Sequence, residues 1–169
     1  MIRVFEPSLS WKDKYSVFKS LMKNNISGQS PTVNAFEEKC ANYFDRSYGI
    51  SVSNGSVSLD IALKSLSFNP NDEVIVPSFT IISCLSAIIR SGAKPIFCDV
   101  DPNSWNMRLE DIEEVFTKNT RAVLMVHTYG LVAEGTKISK FCEENNLILI
   151  EDAAEAHGQV ENNKKCGSF

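Results

Sequence analysis

Short apolar segments alternate with amphipathic helical patterns along most of this chain, and no other feature limits its fold as strongly. The apolar segments lie at residues 48–53, 73–76, 95–98, 122–126 and 147–150. Between them, apolar residues recur at steps of three and four, as they do on one face of a helix. Strands joined by helices form parallel sheets whose two faces are covered by those helices. The pattern therefore predicts an α/β fold in three αβα layers, with a mainly parallel sheet in the middle.

The first 45 residues follow a different pattern. Their apolar residues recur at helical spacing in two groups, namely Trp11, Tyr15, Phe18 and Met22, then Phe36, Cys40, Tyr43 and Phe44. A Ser-Gly-Gln-Ser-Pro run at residues 27–31 separates the groups, because glycine and proline interrupt helices. We predict an N-terminal helical segment at residues 1–45, followed by the sheet domain at residues 46–169.

The charge balance excludes several classes of partner. Seventeen basic and twenty-one acidic side chains leave a net charge of -4, with no block of like charge. This composition argues against binding to nucleic acid or to an anionic membrane surface. The start of the chain places Glu6 and Pro7 where a secretory signal needs apolar residues, so we expect a cytoplasmic protein without a membrane span.

The cysteines and histidines give no sign of a metal site. The chain has five cysteines without a C-x-x-C pair, and its two histidines are His127 and His157. Paired ligands at short spacing are typical of zinc sites, and they are missing here. We expect reduced thiols and no bound metal.

A glycine at the start of a predicted helix suggests a phosphate-binding site. The segment Ser53-Asn54-Gly55-Ser56 joins the first predicted strand to the first crossover helix. Free N–H groups and the positive end of the helix dipole at such a point bind phosphate, although a plain turn with an N-cap has the same sequence. Neither G-x-G-x-x-G nor the Walker pattern is present, which disfavours a dinucleotide or a nucleoside triphosphate.

An acidic residue follows the last predicted strand. Asp152 lies where the carboxyl ends of parallel strands meet, and small alanines follow it. A carboxylate there either holds a positive charge on a ligand or caps a turn. Together with a phosphate site, it matches the needs of pyridoxal phosphate, whose ring nitrogen must stay protonated to withdraw electrons.

Several segments resemble one enzyme family in their order and spacing. They are VSNGS at 52–56, NDEVIVPSFT at 71–80, GAKPIFCDVD at 92–101, VHTYG at 126–130, IEDAAEAHG at 150–158 and the opening FEPSL at 5–9. The set is similar to the DegT/StrS-type sugar aminotransferases, and its opening resembles the perosamine-synthase-like members. The resemblance implies the fold-type I, aspartate aminotransferase-like architecture of pyridoxal phosphate enzymes. It also implies transfer of an amino group, usually from glutamate, to a nucleotide-linked keto sugar, as in the synthesis of polysaccharide and O-antigen precursors.

The resemblance also assigns roles to single residues. It implies that Gly55, Ser56 and the backbone at Val57 hold the cofactor phosphate, and that Asp152 pairs with the ring nitrogen. It places Glu155 near the ring hydroxyl, as in the perosamine-type branch. The family often has an aromatic residue after Pro-Ser-x-Thr to stack on the ring, whereas this chain has Ile81, which is expected to cover it with a weaker contact. His127 and Tyr129 belong to a family motif, but packing and turn roles explain them equally well, so neither is assigned to catalysis.

The family's Schiff-base lysine has no counterpart in these residues. In relatives it lies beyond the segment matching Gly167-Ser168-Phe169, whereas Lys164 and Lys165 precede that segment and are expected to be exposed. We therefore expect an incomplete large domain without the small domain and without turnover, because that lysine is both covalent anchor and proton carrier.

Three interpretations follow from these patterns. The first is a truncated and inactive part of a nucleotide-sugar aminotransferase, whose family acts as homodimers. The second is a non-catalytic fragment that binds pyridoxal phosphate or phosphate, or that pairs with a full-length relative. An ordinary nucleotide-binding domain is the third, and the missing glycine motif disfavours it. An incomplete parallel sheet exposes an edge, so we also predict oligomers or aggregates in solution.

Overall fold

The computed structural model describes residues 6–169. Residues 1–5, which include the start of the helical segment 1–45 and the first residue of the FEPSL motif, lie outside the described residues. The elements are α1 Trp11–Met22, α2 Pro31–Tyr43, α3 Gly55–Ser65, β1 Glu73–Pro77, α4 Ile82–Ser91, β2 Lys94–Cys98, α5 Leu109–Val115, β3 Thr120–Val126, α6 Gly135–Glu144, β4 Ile148–Asp152, β5 Val160–Glu161 and β6 Lys164–Lys165, with a 3₁₀ turn at Thr128–Gly130.

The chain divides into two compact units, Met1–Ser51 and Val52–Phe169. The first unit contains α1 and α2, the two helices expected from the N-terminal pattern. Helix α1 starts with a capping box, in which Ser10 Oγ accepts a hydrogen bond from the Asp13 N–H and the Asp13 carboxylate accepts one from the Ser10 N–H. Helix α2 starts at Pro31, which has no N–H to leave unpaired. The division after residue 45 stays a prediction.

The first predicted strand, at residues 48–53, is wrong. These residues form no strand, and the side chains of Tyr48 and Ile50 are 87% and 76% exposed. A strand needs a neighbour for its ladder of hydrogen bonds, and no strand within residues 6–169 pairs with this segment. Instead, the backbone N–H and the hydroxyl of Ser51 both donate to Glu37 Oε1, at 2.7 and 2.8 Å.

The other four predicted strands are confirmed, and they form one parallel sheet in the order β2-β1-β3-β4. In the centre of the sheet, Ile75 lies opposite Ile96 on one side and Val123 on the other. Strands β2 and β4 form the two edges, where Phe97 and Ile148 are partly exposed. The predicted tendency to form oligomers stays a prediction.

Helices cover both faces of this sheet, so the predicted three-layer αβα arrangement is confirmed. One apolar cluster joins Val74 and Leu124 to α3 and α4, and a second joins Ile75 and Val123 to α5 and α6. All four strand residues are fully buried, and such burial stabilises a fold by about 1.5 to 3 kcal/mol for each large apolar side chain. None of the helices within residues 6–169 is long and apolar enough to cross a membrane.

Candidate cofactor site

A cleft of about 520 Å³ opens at the carboxyl edge of the sheet. It is lined by residues that end or follow β1, β3 and β4, namely Phe79, Thr80, Ile81, Val126, His127, Thr128, Tyr129, Asp152, Ala154 and Glu155. Ligands bind at this edge of open parallel sheets, because the loops there leave room between the strands. Three of the sequence-predicted site residues, Ile81, Asp152 and Glu155, therefore share one cleft.

The Asp152 carboxylate is oriented by two donors. The backbone N–H of Ala154 donates to Oδ1 at 3.1 Å, and the thiol of Cys84 donates to Oδ2 at 3.6 Å. Asp152 therefore caps the turn after β4, which is one of the two interpretations from the sequence, and it also lines the cleft. Its role in holding a positive charge on a ligand stays a prediction. A partly buried carboxylate at this point can hold a cationic ring nitrogen.

Glu155 and Ile81 both line the cleft, and they belong to different loops. Glu155 Oε2 accepts a hydrogen bond from the backbone N–H of Tyr129 at 2.9 Å, so its carboxylate is tied to the loop after β3. Ile81 is the N-cap residue of α4, and its side chain is 63% exposed at the cleft. An exposed aliphatic side chain at this place can cover one face of a flat ring.

The N-terminus of α3 lies outside the residues that line the cleft. Asn54 Oδ1 accepts a hydrogen bond from the Val57 N–H at 3.1 Å, so the plain N-cap expected from the sequence is present. A phosphate at this terminus would share the Val57 N–H with that cap. A Cβ at Gly55 would meet no atom of the rest of residues 6–169 within 4 Å, apart from its chain neighbours and its own helix. The surface beside Gly55 is therefore free to accept a phosphate.

The first turn of α4 connects the two halves of the site. Ser83 Oγ lies 2.7 Å from Ser56 Oγ at the start of α3, and Cys84, the next residue, contacts Asp152. Successive residues of a helix rise by only about 1.5 Å. The N-terminus of α3 and the Asp152 carboxylate therefore contact adjacent residues in the first turn of α4. The residues present thus fit a flat cofactor that carries a phosphate at one end and a ring nitrogen at the other.

The contact between Cys84 and Asp152 was not predicted from the sequence. Thr80 contacts the same thiol, because its Oγ1 lies 3.4 Å from Cys84 Sγ. The spacing of Thr80 and Cys84, one helical turn apart, was a usable signal that both side chains lie on one side of the chain. Burial raises the pKa of the Cys84 thiol to about 11, so it stays protonated at neutral pH.

An aromatic cluster beside the cleft was also missed. The ring centroids of Phe79, Trp105 and Tyr129 lie 5.6 to 6.3 Å apart. Trp105 and Tyr129 have φ angles of 58° and 51°, which few aromatic residues adopt. The buried Asn106 holds the two loops together, because its side chain accepts from the Thr128 N–H and donates to the Leu131 carbonyl, both at 2.9 Å.

His127 has a structural role behind the cleft. Its Nδ1 accepts a hydrogen bond from the Ala133 N–H at 3.0 Å, so the ring proton lies on Nε2 and is donated to Glu151 Oε1 at 2.9 Å. Glu151 also accepts hydrogen bonds from the backbone N–H groups of Gly167 and Phe169. This buried carboxylate joins β3, β4 and the segment 166–169.

The same place holds the cluster His127, Glu151 and Cys166, whose potential metal-ligating atoms lie within 4.8 Å of one another. Its hydrogen bonds do not suit a metal. A metal at Nε2 would move the ring proton to Nδ1, where it would face the Ala133 N–H, which is itself a donor. Glu151 already accepts from three donors.

The two lysines before the Gly167-Ser168-Phe169 segment lie in the β5–β6 hairpin. Lys164 is exposed, and its Nζ lies 5.2 Å from the centre of the Phe169 ring. Neither Lys164 nor Lys165 lines the cleft.

Comparison with known proteins identifies the group to which this arrangement is similar. A family model described as the DegT/DnrJ/EryC1/StrS aminotransferase family matches residues 10–169. The GDP-perosamine synthase of Escherichia coli O157:H7 is 40% identical over 168 residues, which is 99% of this chain and 46% of that protein. The chain therefore spans less than half the length of this curated relative.

Solved structures agree with the fold. The aminotransferase of Psychrobacter cryohalolentis matches with a TM-score of 0.84 and 34% identity, over 91% of this chain and 39% of that one. The E. coli GDP-4-keto-6-deoxy-D-mannose-3-dehydratase, solved with bound hydrated PLP, matches with a TM-score of 0.85 and 29% identity, over 96% of this chain and 43% of that one.

Proposed function

The chain belongs to the DegT/DnrJ/EryC1/StrS aminotransferase family, and from this premise we propose that it forms the cofactor-binding part of an enzyme that aminates a nucleotide-linked keto sugar. Pyridoxal phosphate is the cofactor, and glutamate is the proposed amino donor. The observation that carries the proposal is the Asp152 carboxylate, which lines the cleft at the end of β4 and is oriented by two donors.

The proposed roles in binding fall to residues of the cleft and to the N-terminus of α3. The Asp152 carboxylate keeps a proton on the ring nitrogen, while the N-terminus of α3 at Gly55, Ser56 and Val57 binds the phosphate. Ile81 covers one face of the ring, and Glu155 lies near the ring hydroxyl and the substrate. When bound, the cofactor supplies an electron sink for breaking and forming bonds to nitrogen.

We propose a perosamine-type reaction, in which the amino group is added to carbon 4 of a sugar for polysaccharide or O-antigen synthesis. The identity to GDP-perosamine synthase and the presence of Glu155 support this branch. The complete enzyme is proposed to act as a cytoplasmic homodimer.

A second candidate is a non-catalytic binding protein or dimer partner. The positions of Lys164 and Lys165 away from the cleft favour it for the 169 residues taken alone. On this view the polypeptide binds pyridoxal phosphate through hydrogen bonds and charge, without a covalent bond and without turnover.

Titration of the purified 169-residue chain with pyridoxal phosphate tests both candidates. Absorbance gives the Kd, and borohydride reduction followed by intact mass shows whether a lysine binds the cofactor covalently. We expect saturable binding that Asp152→Asn weakens about tenfold or more, because a hydrogen bond to a charged group contributes about 1.5 to 3 kcal/mol. The control Glu144→Gln, at an exposed position at the end of α6, should bind like wild type.

Two results would contradict the proposal. One is the absence of saturable binding, and the other is an equal Kd for wild type and Asp152→Asn. A single reduced adduct on one lysine would instead favour catalysis by these residues over the non-catalytic candidate.

A further inference from the structure

Three side chains form a short hydrogen-bonded chain that ends at the cofactor-binding carboxylate. Thr80 Oγ1 lies 3.4 Å from Cys84 Sγ, and Cys84 Sγ lies 3.6 Å from Asp152 Oδ2. Thr80 and Asp152 line the cleft, whereas Cys84 is fully buried behind it. The chain links the start of α4 to the end of β4.

The direction of these hydrogen bonds follows from the chemistry of the groups. An ionised carboxylate can only accept, so the thiol of Cys84 must be the donor to Asp152. A thiol has one proton, and therefore the hydroxyl of Thr80 donates to Sγ. The raised pKa of the Cys84 thiol, about 11 because of burial, keeps this proton in place at neutral pH.

We propose that Cys84 is a positioning residue for the ring nitrogen of pyridoxal phosphate, acting through Asp152; this inference rests on the proposed function. The Ala154 N–H holds Oδ1 and the Cys84 thiol holds Oδ2, so both oxygens are fixed from the protein side. A carboxylate held in this way stays directed at the cleft. Both oxygens keep free lone pairs for the ring N–H, since each can accept more than one hydrogen bond.

The use of sulfur has a further consequence. A thiol is a weak donor, so it orients the carboxylate while withdrawing little of its negative charge. Asp152 thus keeps most of its capacity to stabilise the protonated ring. Loss of the thiol would remove one of the two donors that direct the carboxylate at the cleft. Because a less well directed carboxylate stabilises the protonated ring less, the ring nitrogen would then lose its proton at a lower pH.

The test uses the 169-residue chain loaded with ¹⁵N-labelled pyridoxal phosphate. The ¹⁵N chemical shift of the ring nitrogen, followed against pH, reports its protonation directly and does not depend on turnover. We expect Cys84→Ala to move the midpoint of this titration down by about 0.4 pH unit, the equivalent of a hydrogen bond at the weak end of the ordinary range. Cys84→Ser keeps a donor and should titrate close to wild type.

Cys142→Ala is the matched control. Cys142 is equally buried, but it lies on α6 in the cluster on the opposite face of the sheet. This variant creates a similar cavity and should lower the urea midpoint about as much as Cys84→Ala, without moving the titration of the ring nitrogen.

Each possible result decides the question. If Cys84→Ala leaves the titration unchanged while wild type binds the cofactor, Cys84 has no positioning role and the proposed function stands. Equal shifts in the alanine and serine variants, or a shift in Cys142→Ala, would show a packing effect and overturn the inference. Failure of wild type to bind the cofactor would overturn the proposed function and this inference together.

Discussion

Replacement of Glu151 by alanine tests the buried hydrogen-bond network behind the cleft. The Glu151 side chain is 5% exposed and accepts from His127 Nε2 and from the N–H groups of Gly167 and Phe169. The substitution would leave three donors without this acceptor in a region that water reaches poorly. An ordinary hydrogen bond contributes about 1 kcal/mol to stability, so the loss of all three gives about 3 kcal/mol. That is a large part of the 5 to 15 kcal/mol that stabilises an ordinary domain.

Urea unfolding followed by tryptophan fluorescence measures this loss in the structural unit that contains Glu151, Val52–Phe169. The chain has two tryptophans, Trp11 in the first unit and Trp105 in the second. In a Trp11→Phe background, the emission reports the unit Val52–Phe169 alone. We expect Glu151→Ala to lower the free energy of unfolding by about 3 kcal/mol. Glu151→Gln should lower it by less, because the amide keeps one acceptor oxygen.

The exposed Glu144 is the control, and its alanine variant should stay within about 0.5 kcal/mol of the background. A loss below about 1 kcal/mol for Glu151→Ala would refute the reasoning. It would mean that water or other groups satisfy the donors, and that the network does not hold the segment 166–169 in place.

Three further predictions concern the described residues. The hydrogen bond from Arg108 lowers the pKa of the buried Asp111, so its contribution to stability is present above the ordinary value of about 3.9 and disappears as the pH falls through the lower folded value. Urea unfolding between pH 2 and 7 should show this loss, and Asp111→Asn should remove it and cost about 1 kcal/mol at pH 7. Asn54→Ala should destabilise the second unit by about 1 kcal/mol in the same assay, because α3 loses its N-cap. Burial raises the pKa of Cys98 to about 12, so a thiol reagent at pH 8 should label the partly exposed Cys40 first and reach Cys98 only after unfolding.

Specific results would contradict these predictions. If the free energy of unfolding of the wild type does not change in acid, the hydrogen bond between Arg108 and Asp111 does not contribute to stability. Asn54→Ser retains a capping oxygen, so an equal loss for the serine and alanine variants would exclude the cap as the cause. Rapid modification of Cys98 in a Cys40→Ser variant would show that the domain opens readily.

The sequence was sufficient for the parallel sheet because its strands are apolar on both faces. Strand β3, for example, buries six of its seven residues between two layers of helices, and a continuous apolar run is the pattern of such a strand. Residues 48–53 alternate apolar residues with glycine and serine, a pattern that also predicts a strand, but they form none. Strand formation depends on a neighbour to pair with, and composition does not report whether one lies alongside.

The candidate site was predictable only in part for a related reason. Asp152 and Gly55 lie at strand and helix ends, where local sequence patterns are informative. The partner of Asp152 is Cys84, 68 residues earlier in the chain. A contact of this kind depends on how α4 packs against the end of β4, and a buried cysteine gives no local sign of it, since most buried cysteines only fill space.

Asn106 has a consequence for how sequences of this type can diverge. Its side chain holds the loop after β3 only through main-chain atoms, the N–H of residue 128 and the carbonyl of residue 131. The side chains at 128 and 131 can therefore be exchanged during evolution without breaking the link. Position 106 has no such freedom, because aspartate lacks the donor and serine is too short to reach both loops. Selection on the shape of this loop is thus expected to act on a residue outside it.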